Sequence, residues 1–97
     1  MASKGKESRG TEPRVTIIQA ECMEDLEYWV ETNRKVALRV FRLMKATRRD
    51  PFRGVGKPES LKHIGPDIWS RRITSVDRLV YRVGHNFVDF LQARYHC

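Results

Sequence analysis

Cysteine is scarce in this chain. Its 97 residues hold two, Cys22 near the start and Cys97 at the last position. A disulfide framework needs more, and a zinc site needs ligands grouped at short spacing. Both thiols are therefore expected free, as in a reducing cytoplasm. Long apolar runs are also missing. No stretch approaches the ~20 residues that a membrane-crossing helix needs, which excludes an integral helical membrane protein. Residues 1–14, MASKGKESRGTEPR, hold no large apolar residue after Met1. No secretory signal is expected there, and the composition reads as a disordered tail. Residues 15–97 leave room for one small domain. A chain of this size buries roughly 60–65% of its unfolded surface, so any site must be shallow.

The chain does hold positive charge: 19 Lys and Arg against 12 Asp and Glu, a formal net charge of +7. Residues 1–14 carry four cations and two acids, and residues 15–47 carry five of each. Residues 48–97 carry ten cations against five acids, and eight of those ten are Arg. The planar guanidinium can bond two phosphate oxygens at once, so this half is a candidate nucleic-acid surface. Ordinary solvation of a small domain would also account for the charge.

Along the chain, Val15-Thr16-Ile17-Ile18 is a β-branched run and a predicted strand. From Glu21 the period becomes helical, with Cys22, Leu26, Trp29 and Val30 on one face. Glu21, Glu24, Asp25 and Glu27 load the first turns with the negative charge that a helix N-terminus favours. A second helix follows, with Val36, Ala37, Val40, Phe41 and Met44 as its apolar stripe and Thr32 or Asn33 as its cap. Asp50-Pro51 ends it. A long loop rich in Gly and Pro runs through Pro66, and loops of that length in compact domains tend to be functional. Strands are then predicted at Ile68–Thr74, Arg78–Val83 and Phe87–Tyr95, with a turn at Gly84-His85-Asn86. The order β-α-α-β-β-β predicts a small α+β fold with the helices packed on a mainly antiparallel sheet.

Strand alternation predicts that Val88, Phe90, Gln92, Arg94 and His96 share one face, as do Arg78, Val80 and Arg82. Trp69, Arg71 and Ile73 take one face of their strand, Ser70 and Arg72 the other. Several Arg can thus converge near His96, with Glu59 and Lys62 supplied by the loop. Metal-free cleavage of RNA needs a base for the 2′-hydroxyl proton, an acid for the 5′-oxygen and cations around the phosphorus. Glu, His and Arg fit those tasks. Each also has a plainer reading. Glu59 reads as a solvated loop acid, His96 as a frayed terminus, and Arg78 as solvated or paired with Asp77 or Asp89. His63 and His85 read as structural or exposed, Trp29 and Trp69 as core.

Longer motifs narrow the choice. Thr47-Arg48-Arg49-Asp50-Pro51-Phe52, Gly54-Val55-Gly56-Lys57-Pro58-Glu59 and Leu61-Lys62-His63 follow one another in order. Trp69-Ser70-Arg71-Arg72-Ile73-Thr74, Arg78-Leu79-Val80-Tyr81 and the ending Arg94-Tyr95-His96 complete the series. Over residues 15–97 the chain resembles the YoeB/Txe toxins of the RelE/ParE superfamily of type II toxin–antitoxin systems. The resemblance implies a RelE-like fold and a ribosome-dependent mRNA endonuclease that cuts the A-site codon without a metal or other cofactor. It implies a YefM-like antitoxin as partner, the ribosome and mRNA as targets, and a homodimer. It assigns Glu59 as general base, His96 as general acid, and Arg78 and Lys62 as transition-state stabilisers. It places Arg71 and Arg72 on the phosphate backbone, and by strand parity only one of the two can enter the cleft. Arg94 joins the RNA-contacting set.

One position departs from the family. Cys97 stands where the family carries a terminal Tyr that positions the cut nucleotide. A thiol cannot stack on a base and donates hydrogen bonds weakly. Tyr95 is expected on the opposite side of its strand from His96. The alternative to an active nuclease is therefore a weakened relative that binds ribosome, RNA or antitoxin without efficient cleavage. A gyrase-binding relative is disfavoured, because that branch lacks the Glu/His pair.

Overall fold

The computed structural model describes residues 13–96. The predicted tail at 1–14 falls mostly outside them. Of it, Arg14 is held by its backbone N–H, which donates to the Arg48 carbonyl at 3.0 Å. The elements are β1 (Val15–Ile18), α1 (Ala20–Thr32), α2 (Arg34–Arg49), β2 (Glu59–Ser60), β3 (Ile68–Arg72), β4 (Arg78–Val83) and β5 (Phe87–Tyr95). They form one five-stranded sheet in the order β1-β5-β4-β3-β2. β1 runs parallel to β5, so the first strand clamps the last, and the other pairs are antiparallel. The expected α+β architecture is the observed one. The addition is β2, two residues of the predicted loop that pair with β3.

The helices cover one face of the sheet. Cys22, Leu26 and Trp29 of α1 and Ala37, Val40, Leu43 and Met44 of α2 pack on Leu79, Tyr81, Val88, Phe90 and Ala93. Asn33 caps α2 as predicted, its side chain accepting from the Val36 N–H. Two residues of the predicted stripes are not in this core: Val30 and Phe41 are 47% and 41% exposed. The buried arc of α2 is turned towards Leu43 and Thr47 instead, where the helix meets the sheet. The opposite face of the sheet carries a smaller cluster, Leu61, Ile68 and Val80 with Leu91 and Tyr95 against it. Strand β3 stops at Arg72 rather than Thr74, because the N–H groups of Ile73 and Thr74 both turn to the Asp77 carbonyl.

Strict alternation fails along β5. Tyr81 pairs with Phe90 and Val80 with Gln92, one step on β4 against two on β5. Val80–Gln92 to Arg78–Tyr95 is two steps against three. Each extra residue is a bulge that reverses the side-chain parity. Val88 and Phe90 therefore face the helices, whereas Gln92 lies opposite Val80 on the other face. Tyr95 pairs with Arg78 and packs on the smaller cluster. The expectation that Val88, Phe90, Gln92, Arg94 and His96 all share one face is corrected accordingly. Helix α1 satisfies the freed backbone: Asp25 accepts the Ala93 N–H and Trp29 Nε1 donates to the Ala93 carbonyl, each at 2.8 Å.

Candidate active site

The face of the sheet away from the helices carries the candidate chemistry. Glu59 lies opposite Ser70, and Arg72 lies opposite Arg78, which lies opposite Tyr95. Side chains directly opposed across a sheet share a face, so this register gathers Glu59, Ser70, Arg72 and Arg78. Arg78 Nη1 donates to Glu59 Oε1 and to Ser70 Oγ, both at 3.2 Å. The Arg78 side chain is 17% exposed and Glu59 61%. A guanidinium seated against the sheet thus holds a carboxylate that still faces solvent. Arg78 pairs with neither Asp77 nor Asp89, the alternatives open from sequence. Asp89 takes Gln19 and Arg82.

His96 follows the last pair of β5. Its Nε2 lies 2.7 Å from Asp77 Oδ1. With Ser75, Val76 and Arg78 it lines an open pocket of about 360 Å³. Arg78 is therefore shared: it holds Glu59 and also lines the pocket with His96. Lys62 is exposed in the turn after Leu61, and no hydrogen bond or ion pair ties it to Glu59 among the described residues. Leu61 anchors that turn through its N–H on the Ile68 carbonyl and its side chain in the smaller cluster.

The two neighbouring arginines have opposite fates. Arg72 is exposed on the site face. Arg71 is wholly buried on the helix face. Its guanidinium donates to the carbonyls of Asp50, Arg53 and Val55, and its Nε to the Tyr81 hydroxyl. Tyr81 in turn donates to the Pro51 carbonyl at 2.7 Å. Burial pushes the Tyr81 phenol up, against the Arg71 cation, so it stays a donor. Together they clamp the loop that leads into β2. Arg71 is thus spent on the fold, and Arg72 is the one of the pair that reaches the cleft side. Arg94 is also diverted: its guanidinium lies 3.6 Å from the Tyr28 ring centre, stacked on α1. Cys97 lies outside the described residues. His63 and His85 are exposed, Trp29 is core, and Trp69 packs edge-on against Phe52.

Two contributors to this arrangement were not legible as such in sequence. Ser70 gives Arg78 its second acceptor, and Asp77 meets His96. The signal for Asp77 was Thr74 three residues before it, the spacing of a side-chain-closed turn. Among the described residues, no group of three His, Cys, Asp or Glu side chains could hold a metal ion. No described helix is long and apolar enough to cross a membrane. A larger groove of about 540 Å³ lies on the helix side, lined by Ile18, Met23, Leu26, Val30 and Phe41.

With this geometry in place, comparison with known proteins is decisive. Residues 18–97 match the family model described as the YoeB-like toxin of bacterial type II toxin–antitoxin systems. The chain belongs to the YoeB toxin family. Toxin YoeB of Mycobacterium bovis is 47% identical over 76 residues, 78% of this chain and 89% of that protein. The YoeB dimer from Staphylococcus aureus shares the fold with a TM-score of 0.81 at 30% identity, covering 89% of this chain and 100% of that one. A chain of a heterotetrameric YoeB–YefM toxin–antitoxin complex from the same species matches with a TM-score of 0.74 at 31% identity, over 87% of this chain and 99% of that one. The YoeB resemblance read from the motifs is thereby shown, and the fold is that of the RelE/YoeB toxins. This chain is the toxin component of such a system.

Proposed function

We propose that this YoeB-family toxin is a ribosome-dependent endoribonuclease that cuts mRNA in the A-site codon. The observation that carries the proposal is Arg78, half-buried, ion-paired to Glu59 and sharing a pocket with His96. In-line attack at phosphorus needs base and acid on opposite sides, with positive charge between them. Glu59 takes the proton from the 2′-hydroxyl, and the 2′-oxygen bonds to phosphorus. The bond to the 5′-oxygen breaks, and His96 gives that oxygen its proton. Arg78, with Lys62, offsets the charge that grows on the phosphoryl oxygens. Arg72 grips the adjoining backbone. The products are a 2′,3′-cyclic phosphate, or the 3′-phosphate from its hydrolysis, and a 5′-hydroxyl. Each proton and charge in this route falls to a side chain, so no metal or cofactor is invoked.

The partnership follows from the relatives. A YefM-like antitoxin is the proposed partner, on the strength of the Staphylococcus aureus complex, and a homodimer on that of the dimer from the same species. The proposed place of action is the cytoplasm, where ribosomes translate. A second reading rests on Cys97 in place of the family's Tyr: binding to ribosome or antitoxin with slow cleavage. Mapping of RNA ends on programmed ribosomes separates the two. The first reading predicts a 5′-hydroxyl end within the A-site codon, absent without ribosomes. Ribosome binding with no new end would favour the second.

A further inference from the structure

We infer that Asp77 is a positioning residue for the C-terminal histidine: it holds His96 Nε2–H and so presents Nδ1 to the pocket shared with Arg78. This rests on the nuclease reading above and names the residue that sets the geometry of its acid.

His96 lies past the last pair of β5, so the sheet ladder does not orient its ring. Among the described residues the ring makes one hydrogen bond, Nε2 to Asp77 Oδ1 at 2.7 Å. An ionised carboxylate only accepts, so Nε2 carries the proton. The other ring nitrogen, Nδ1, is left to act on a ligand. Fixing one nitrogen to define the role of the other is how a carboxylate sets a catalytic imidazole.

Asp77 is built to do this. Its side chain is 10% exposed, although His96 is 62% exposed. Its other oxygen, Oδ2, accepts the Thr74 hydroxyl at 2.9 Å. Its own N–H donates to Thr74 Oγ1 at 2.9 Å, and its carbonyl accepts the N–H of Ile73 and of Thr74. Both ends of the residue are therefore fixed, and Oδ1 is the atom left free for His96. A solvated surface acid has no need of such a frame. Asp77 also directly precedes Arg78, so one turn places both the cation and the acid's anchor. Without it, a histidine beyond the end of its strand loses side-chain order and samples both tautomers.

The test combines NMR with cleavage, in the native chain and in Asp77→Asn. Ring ¹⁵N shifts at a pH where the imidazole is neutral report which nitrogen is protonated. His96→Gln removes one of the three histidine signals and so assigns it. Native His96 should be the Nε2–H form. Asp77→Asn should mix or reverse the tautomers and slow A-site cleavage by about tenfold to a hundredfold, the usual loss for such a partner. Asp77→Glu, which keeps a carboxylate, should recover part of the rate. A native Nδ1–H form would overturn the proposal, and it needs no variant to fold. So would an unchanged tautomer in Asp77→Asn, or a changed tautomer with an unchanged rate. If the native chain does not cut RNA, the nuclease reading fails separately, while the ¹⁵N shifts still decide whether Asp77 sets the ring.

Discussion

Arg71 and Arg72 are adjacent in sequence and opposite in use. A strand sends them to different faces, and the tertiary surroundings decide which face is wet. Arg71 meets three loop carbonyls and the Tyr81 hydroxyl in the interior. Lysine carries one ammonium and cannot fork to so many acceptors. Arg71→Lys should therefore cost about 2–4 kcal/mol of unfolding free energy, from unmade hydrogen bonds to buried groups. Arg72→Lys should change stability by less than about 0.5 kcal/mol. Denaturant melts of the two variants compare them directly. Cys22 gives a second residue-scale prediction. Burial, then the charges of Asp25, Asp89 and Glu21, push its thiol up from 9.0 to about 12. The fold thus favours the neutral thiol. Its contribution is complete below pH 9.0 and is lost as the pH rises from there towards about 12. Alkylation at pH 9, read by peptide mass, should spare Cys22 in the native chain and label it in denaturant.

At the scale of elements, β1, the two helices and β4 were readable because each follows a simple period. β5 was readable in extent but not in parity. Its bulges involve no glycine or proline, and the groups that stabilise them, Asp25 and Trp29, are 68 and 64 residues away in sequence. A single strand's pattern holds no trace of such partners. The same cause hid the burial of Arg71, whose carbonyl acceptors lie between α2 and β2. Asp25→Ala leaves the Ala93 N–H without its acceptor and should cost about 1–3 kcal/mol. Faster hydrogen exchange at the Ala93 amide, with α2 amides unaffected, would locate the loss. The loop itself has one tight point. Gly56 has φ +88°, and an added Cβ would lie 2.8 Å from Leu43 Cδ2 and 3.1 Å from Arg71 Cβ. Gly56→Ala should lower stability by about 1–3 kcal/mol and loosen the clamp around Arg71.

For the whole molecule, the sheet separates two tasks. The helix face holds the main core, and the other face carries Glu59, Arg78 and Arg72 over a small apolar base. The stability of the fold therefore depends little on the proposed chemistry. Glu59 is 61% exposed, so its ion pair with Arg78 contributes under about 1 kcal/mol. Glu59→Ala should fold as the native chain does. The net charge of +7 favours an anionic target, and ribosome binding should weaken with salt along a log–log slope of several units. The site was legible in part for the same reason that the family was. The run from Thr47 to His63 and the Arg-Tyr-His ending are compact motifs, while Ser70 and Asp77 matter only through contacts that the fold creates. The central claim is that Glu59 and His96 act as base and acid about Arg78. Its most direct test is the single-turnover rate of A-site mRNA cleavage on programmed ribosomes, for the native chain, Glu59→Ala and His96→Ala at matched ribosome occupancy. The account predicts that each variant binds ribosomes, keeps its melting temperature and cuts at least about a hundredfold more slowly. Either variant cutting at the native rate would contradict it.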